Sequence, residues 1–194
     1  MMRASGRLLT TGCLLLMAAG SVFAQAPAQT QAPAPSRTQS GELLFQWNDV
    51  HNKLIEMAKD FPEDKFEFKV QKDQRTFAAN LLHIVGVDYI FLNSISSTKL
   101  GPDFGKDPEN PLRTTYATRA DVVKLLQQVT ADGAALIQQL GDAGLAKEYK
   151  YAYANRMAHA SFSLWSDLEH AGEHYGQLVV YYRANNLVPP DSRH

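Results

Sequence analysis

Residues 164–184 read LWSDLEHAGEHYGQLVVYYRA. Within them Leu164, Leu168, Ala171, Tyr175, Leu178 and Tyr182 recur at intervals of three and four, the spacing of one face of an α-helix. The pattern predicts a helix from about Ala158 or Ser161 to Ala184. Asn185-Asn186 can take the left-handed turn that closes a helix, and Pro189-Pro190 forbids continuation.

Three earlier stretches carry the same period. Leu43, Leu44, Trp47, Val50, Leu54, Met57 and Ala58 make one stripe from about Gly41 to Asp60, ended by Phe61-Pro62. A second helix is predicted after Thr76, a suitable N-cap, and it is apolar nearly all round, so it should be the most buried. A third opens at Thr118-Arg119-Ala120-Asp121, which resembles a capping box, and runs to Gly141. Four such helices without a convincing strand predict an all-α four-helix bundle with long inter-helix connections. The links 61–75 and 94–117 are long enough for crossovers, and loops of that length are often functional.

The N-terminus reads as an address. Arg3 and Arg7 precede an apolar run from Leu8 to Ala19, and Val22-Phe23-Ala24 presents small residues at the positions a signal peptidase requires. This predicts a signal peptide over 1–24, cleaved after Ala24, and a periplasmic or secreted protein. The run is too short to cross a bilayer of roughly 30 Å, so no membrane span is expected there. Residues 25–39, rich in Pro, Ala and Gln, read as a disordered linker, leaving 40–194 as the domain. Lys plus Arg total 19 against 20 Asp plus Glu, so no basic excess argues for nucleic acid as a partner. The one Cys excludes a disulfide framework and Cys-rich zinc sites.

Chemistry enters through histidine. His170 and His174 are four apart, so on a helix their Cβ atoms lie about 5–6 Å apart on one face. That spacing fits two ligands of one ion, and it equally fits two surface histidines. His83 lies between Leu82 and Ile84 in the most apolar helix, where a polar ring needs a partner. It is either a core histidine bonded to a carbonyl or Tyr, or a third imidazole supplied by a neighbouring helix. Three imidazoles would leave coordination positions open, as in catalytic zinc sites. Asp167 falls on the face of His170 and His174 and is the first candidate to orient a ligand ring.

The stretch from His170 to Pro190, with its His-Ala-Gly-Glu-His start, and the segment from Phe77 to Tyr89 around His83 together resemble the DinB-like (DinB/YfiT) superfamily. The similarity extends over essentially everything from Gly41 onward. It implies a four-helix bundle, commonly dimeric, with a three-His site for one divalent ion, zinc or nickel. It also implies His83, His170 and His174 as the ligands. Characterised relatives are thiol-dependent S-transferases or isomerases, and others are assigned as metal-dependent hydrolases. The resemblance therefore implies a hydrolase or transferase acting on a small molecule, in a homodimer. The alternative is a non-catalytic metal- or ligand-binding bundle, or a dimeric stress protein. The export signal departs from the cytoplasmic, thiol-using relatives.

The remaining candidates read as structural. His51 sits beside the Trp47–Leu54 stripe and is expected to be a partly buried packing residue. His159 would lie about 16 Å along a helix axis from His170, too far to share an ion. Trp47 and Trp165 are expected to pack, as are the aromatics of Lys147–Tyr153. No residue announces itself as a general acid or base.

Overall fold

A computed structural model describes residues 37–193. The predicted leader, nearly all of the predicted linker, and His194 lie outside the described residues. Four helices dominate: α1 (Gln39–Asp60), α2 (Phe77–Ile95), α3 (Arg119–Leu145) and α4 (Ala160–Ala184). Thr38 caps α1 by accepting the Gly41 N–H, so the helix takes in Gln39, the last residue assigned to the linker. Thr76 caps α2, and Thr118 with Asp121 forms a complete capping box at α3, both as expected.

The helices stand at the corners of a square in the order α1, α3, α2, α4, so α1 faces α2 across a diagonal. Side-chain pairings fix their directions. Trp47 Nε1 donates to the Thr130 carbonyl and Ser40 bonds Asp142, so α1 and α3 are antiparallel. His174 meets Asn80 while Phe77 stacks near Tyr181, so α2 and α4 are antiparallel too. Tyr89 donates to Asp132 while Arg119, at the start of α3, reaches the Lys59 carbonyl at the end of α1. Helices α2 and α3 are therefore adjacent and parallel.

That topology dictates the long links. The 61–76 segment crosses the diagonal at one end, where Phe61 stacks on Phe77 at 3.8 Å and Phe66 and Tyr182 close the cluster. The 96–118 segment must return the whole length of α2, about 28 Å for 19 residues, before α3 can begin. It travels along the outside of α2 as a strap. Asn93 pins its start through both the N–H and carbonyl of Leu100, and Arg113 pins its end to Glu67 at 2.7 Å.

Covered by neighbours and strap, α2 is buried at fifteen of its 19 residues, which explains an apolar character with no polar face. By length and composition it is also long enough to cross a membrane, but its surface is occupied inside the bundle. Gly133 on α3 lets α1 approach closely, since a Cβ there would fall 2.1 Å from Trp47 Cζ2.

Two expectations are corrected. Residues 148–150 and 157–159 form a small antiparallel hairpin, β1 (Glu148–Lys150) and β2 (Met157–His159), in a chain expected to lack strands. It bridges the diagonal from α3 to α4, and its three-residue strands are too short to show a period. Gly141, at φ 53°, breaks the helical path as expected, and a further short helical stretch carries α3 on to Leu145. Trp165 is 51% exposed and does not pack into the core. Asn186, at φ 58°, makes the expected left-handed turn after α4.

Candidate metal centre

Because α2 and α4 run antiparallel, His83 is level with His170 and His174. The three rings meet edge to face, with centroids 5.1, 4.9 and 4.5 Å apart, and their ligating atoms all lie within 4.8 Å of one another. His83 Nε2 and His170 Nε2 are 3.2 Å apart. Two nitrogens each 2.0–2.1 Å from a tetrahedral ion would be separated by about 3.3 Å. The donor set fits a divalent metal ion.

The tautomers follow from the partners. His83 Nδ1 lies 2.8 Å from the Glu109 backbone carbonyl, so it must carry the proton and donate, leaving Nε2 as the lone pair. His174 Nδ1 likewise donates to Asn80 Oδ1 at 2.9 Å. Burial lowers the pKa of all three rings. His170 falls to about 3 and His174 to about 4, with the neighbouring imidazoles and Arg75 adding to the effect. Neutral imidazoles are the form that ligates metal.

Asn80 and Glu109 are the partners that sequence reasoning missed. Asn80 carried a signal: it is a polar residue in the most apolar helix, one turn before His83. The Glu109 carbonyl carried none, since it acts through the main chain of the strap. Gly86 makes that contact possible. A Cβ at residue 86 would stand 2.3 Å from the Pro108 carbonyl oxygen and 2.9 Å from that of Glu109.

Asp167, expected beside the ligand rings, makes no hydrogen bond to any of them, and His170 Nδ1 has no partner among the described residues. The reason is its position one turn deeper than His170, where α1, α2 and α4 converge. There it joins His51 and Asp88, all three wholly buried. His51, expected to be only partly buried, stacks on Trp47 at 3.9 Å, donates from Nδ1 to the Trp47 carbonyl at 2.7 Å, and turns Nε2 to Asp88 at 3.2 Å. Burial lowers the pKa of His51 and raises those of Asp88 and Asp167 well above the usual carboxylate value; the mutual repulsion of the two carboxylates adds to the rise at Asp167. With His51 Nδ1 committed as a donor, its neutral ring can only accept at Nε2, so Asp88 is the protonated partner. His159 is exposed, at the end of β2 and the N-cap of α4, about three turns from His170.

Above the three rings opens a cavity of about 560 Å³, floored by His83 and His170. The strap contributes Glu109, as its length suggested, and the hairpin contributes Tyr151 and Tyr153, which were expected merely to pack.

A four-helix bundle with three converging imidazoles beneath an open cavity defines a class of candidate metal-binding proteins. The chain belongs to the DinB superfamily, whose sequence model matches residues 46–178. Among solved structures it is similar to a DinB-like protein from Bacillus cereus, at 19% identity and a TM-score of 0.66, covering 79% of this chain and 97% of that one. It is also similar to a DinB-like protein from Bacillus subtilis, at 21% identity and a TM-score of 0.58, covering 75% and 92%. These likenesses establish the fold. No curated protein matches the chain.

Proposed function

We propose that the chain is an exported protein that binds one divalent ion, zinc or nickel, through His83, His170 and His174, and uses it in hydrolysis or group transfer on a small molecule. The observation that carries this reading is the convergence of three neutral imidazoles, two of which, His83 and His170, floor a cavity, while His83 and His174 are held by Nδ1–H donation. When bound, such an ion supplies Lewis acidity, which lowers the pKa of a bound water or polarises a substrate oxygen. The Glu109 carbonyl and Asn80 keep the rings oriented. The carboxylates of Glu109, Glu169 and Glu173 border the same cavity and are the groups available there to take up a proton.

Elemental analysis tests the centre. The wild-type protein, purified without a metal-binding tag, is expected to carry close to one divalent ion per chain, and the His170→Ala/His174→Ala variant none. Retention of the ion by the variant refutes the ligand set. No uptake by the wild type, even after incubation with zinc, nickel and manganese, refutes the reaction centre.

The resemblance also implies a homodimer. A groove between α1 and α4, lined by Val50, Trp165 and Tyr175, supports this by leaving Trp165 half exposed. Light scattering should find a dimer for the wild type and a monomer for Trp165→Glu; an unchanged mass places the interface elsewhere.

A further inference from the structure

The cavity above the three imidazoles has a divided lining. One part is a continuous aromatic wall assembled from three elements: Phe91 of α2, Tyr151 and Tyr153 of the hairpin, and Phe162 of α4. Their ring centroids follow one another at 5.2 Å (Phe91–Tyr153), 5.9 Å (Phe91–Tyr151) and 5.4 Å (Tyr151–Phe162). The charged side chains of the lining are all acidic: Glu109 from the strap, and Glu169 and Glu173 from α4. No Lys or Arg is among the described residues that line it, and none of the three carboxylates is in an ion pair with a described residue.

The outer end of this wall already holds a cation. The Arg156 guanidinium carbon lies 4.8 Å from the Tyr151 centroid and 4.6 Å from that of Phe162, although Arg156 is itself exposed. Ring faces attract cations through the negative face of the π-system, and Phe91 and Tyr153 continue the wall without such a guest. The three carboxylates outnumber the two guanidiniums nearby, Arg156 on the wall and Arg75 beside His83, so a cationic ligand would be favoured over an anionic one and could then stack.

We propose that the cavity binds a small organic cation, a substituted ammonium or guanidinium. Its charged end lies between the aromatic wall and the Glu109, Glu169 and Glu173 carboxylates, and a polar atom at its other end faces the three imidazoles. This names a ligand class for the site proposed above and rests on that reading only for what happens at the imidazole end. The cation subsite itself is built from residues that are not metal ligands, so the two are separable.

Choline is a suitable probe, because it places a hydroxyl two carbons from a quaternary ammonium, and 3,3-dimethyl-1-butanol is its uncharged counterpart of the same shape. Calorimetric titration of the full protein, with and without zinc, should show choline binding at least 10-fold tighter than the neutral alcohol, with phenylacetate not binding. Tyr153→Ala and Glu173→Gln, both exposed positions, should each weaken choline by about 5- to 30-fold while leaving the zinc stoichiometry unchanged. Thermal melts of each variant confirm that it folds. Persistent choline binding in the His170→Ala/His174→Ala protein upholds the cation subsite even if the metal reading fails. Equal binding of choline and the neutral alcohol, binding of phenylacetate, or indifference to both substitutions overturns it while leaving the metal centre untouched.

Discussion

A Gly86→Ala variant should lose metal affinity by about 10- to 100-fold, the usual penalty for disturbing the groups that orient a ligand histidine. Intrinsic helix preference would favour alanine at this position in α2 by about 1 kcal/mol. The added methyl, however, would stand 2.3 Å from the Pro108 carbonyl oxygen, a rigid main-chain atom that cannot rotate away. The strap must lift, and the Glu109 carbonyl then leaves His83 Nδ1. The ring loses the contact that fixes its tautomer and its direction. Gly133→Ala is the matched control, with its Cβ 2.1 Å from the Trp47 ring on the α1–α3 side of the bundle. Both variants are expected to lose about 1–3 kcal/mol of stability through overpacking. Only Gly86→Ala should alter zinc affinity, measured by competition with a chromophoric chelator. Equal affinities in the two variants would show that the strap does not orient His83.

The second large effect concerns pH. Asp88 and Asp167 are wholly buried against His51, and burial holds their pKa values well above the ordinary carboxylate range. The folded protein therefore keeps protons that the unfolded chain releases above about pH 4. Where the native state binds more protons, stability is full at low pH and falls as pH climbs through the folded-state values, by about 1.4 kcal/mol per pH unit for each proton retained. Asn resembles the protonated acid in shape and does not ionise. Asp167→Asn should match the wild type near pH 4 and become progressively more stable than it towards pH 8. For a protein of this size each kilocalorie corresponds to about 2–4 °C in Tm. Melting curves across that range decide the matter: Asp88 still retains its proton in the variant, so a shallower slope is expected, and a slope equal to that of the wild type would show that Asp167 retains none. His51 contributes in the opposite sense, since its lowered pKa favours the neutral ring and its share of stability is lost as pH falls below about 6.5.

Much of this molecule is legible in its sequence. The caps at Thr76 and Thr118 are local chemistry, a hydroxyl accepting a nearby N–H, and such signals need no knowledge of the rest of the fold. The burial of α2 was legible because a helix apolar on every side has nowhere else to go. The four-apart spacing of His170 and His174 placed them on one face, and the family resemblance joined His83 to them. What stayed hidden depended on the directions of the helices. Whether α2 and α3 run parallel is not written in either helix, yet it alone determines that the strap passes His83. Asp167 shows the same limit at finer scale. Helical spacing placed it near the ligand face, but the arrival of α1 with His51 drew it into a different cluster. The hairpin aromatics escaped because three-residue strands carry no period, although they form much of the cavity wall.

The grip on His83 is supplied by an amide oxygen, and every amino acid brings the same one. Residue 109 could therefore change its side chain, at a cost to the cavity that the Glu109 carboxylate borders, without the ring losing its hold, so long as the chain keeps its course past Gly86. An alanine scan would pass over the contact, and a comparison of sequences would find its trace only in the small residue opposite. At this point the protein stores a functional instruction in the path of its backbone.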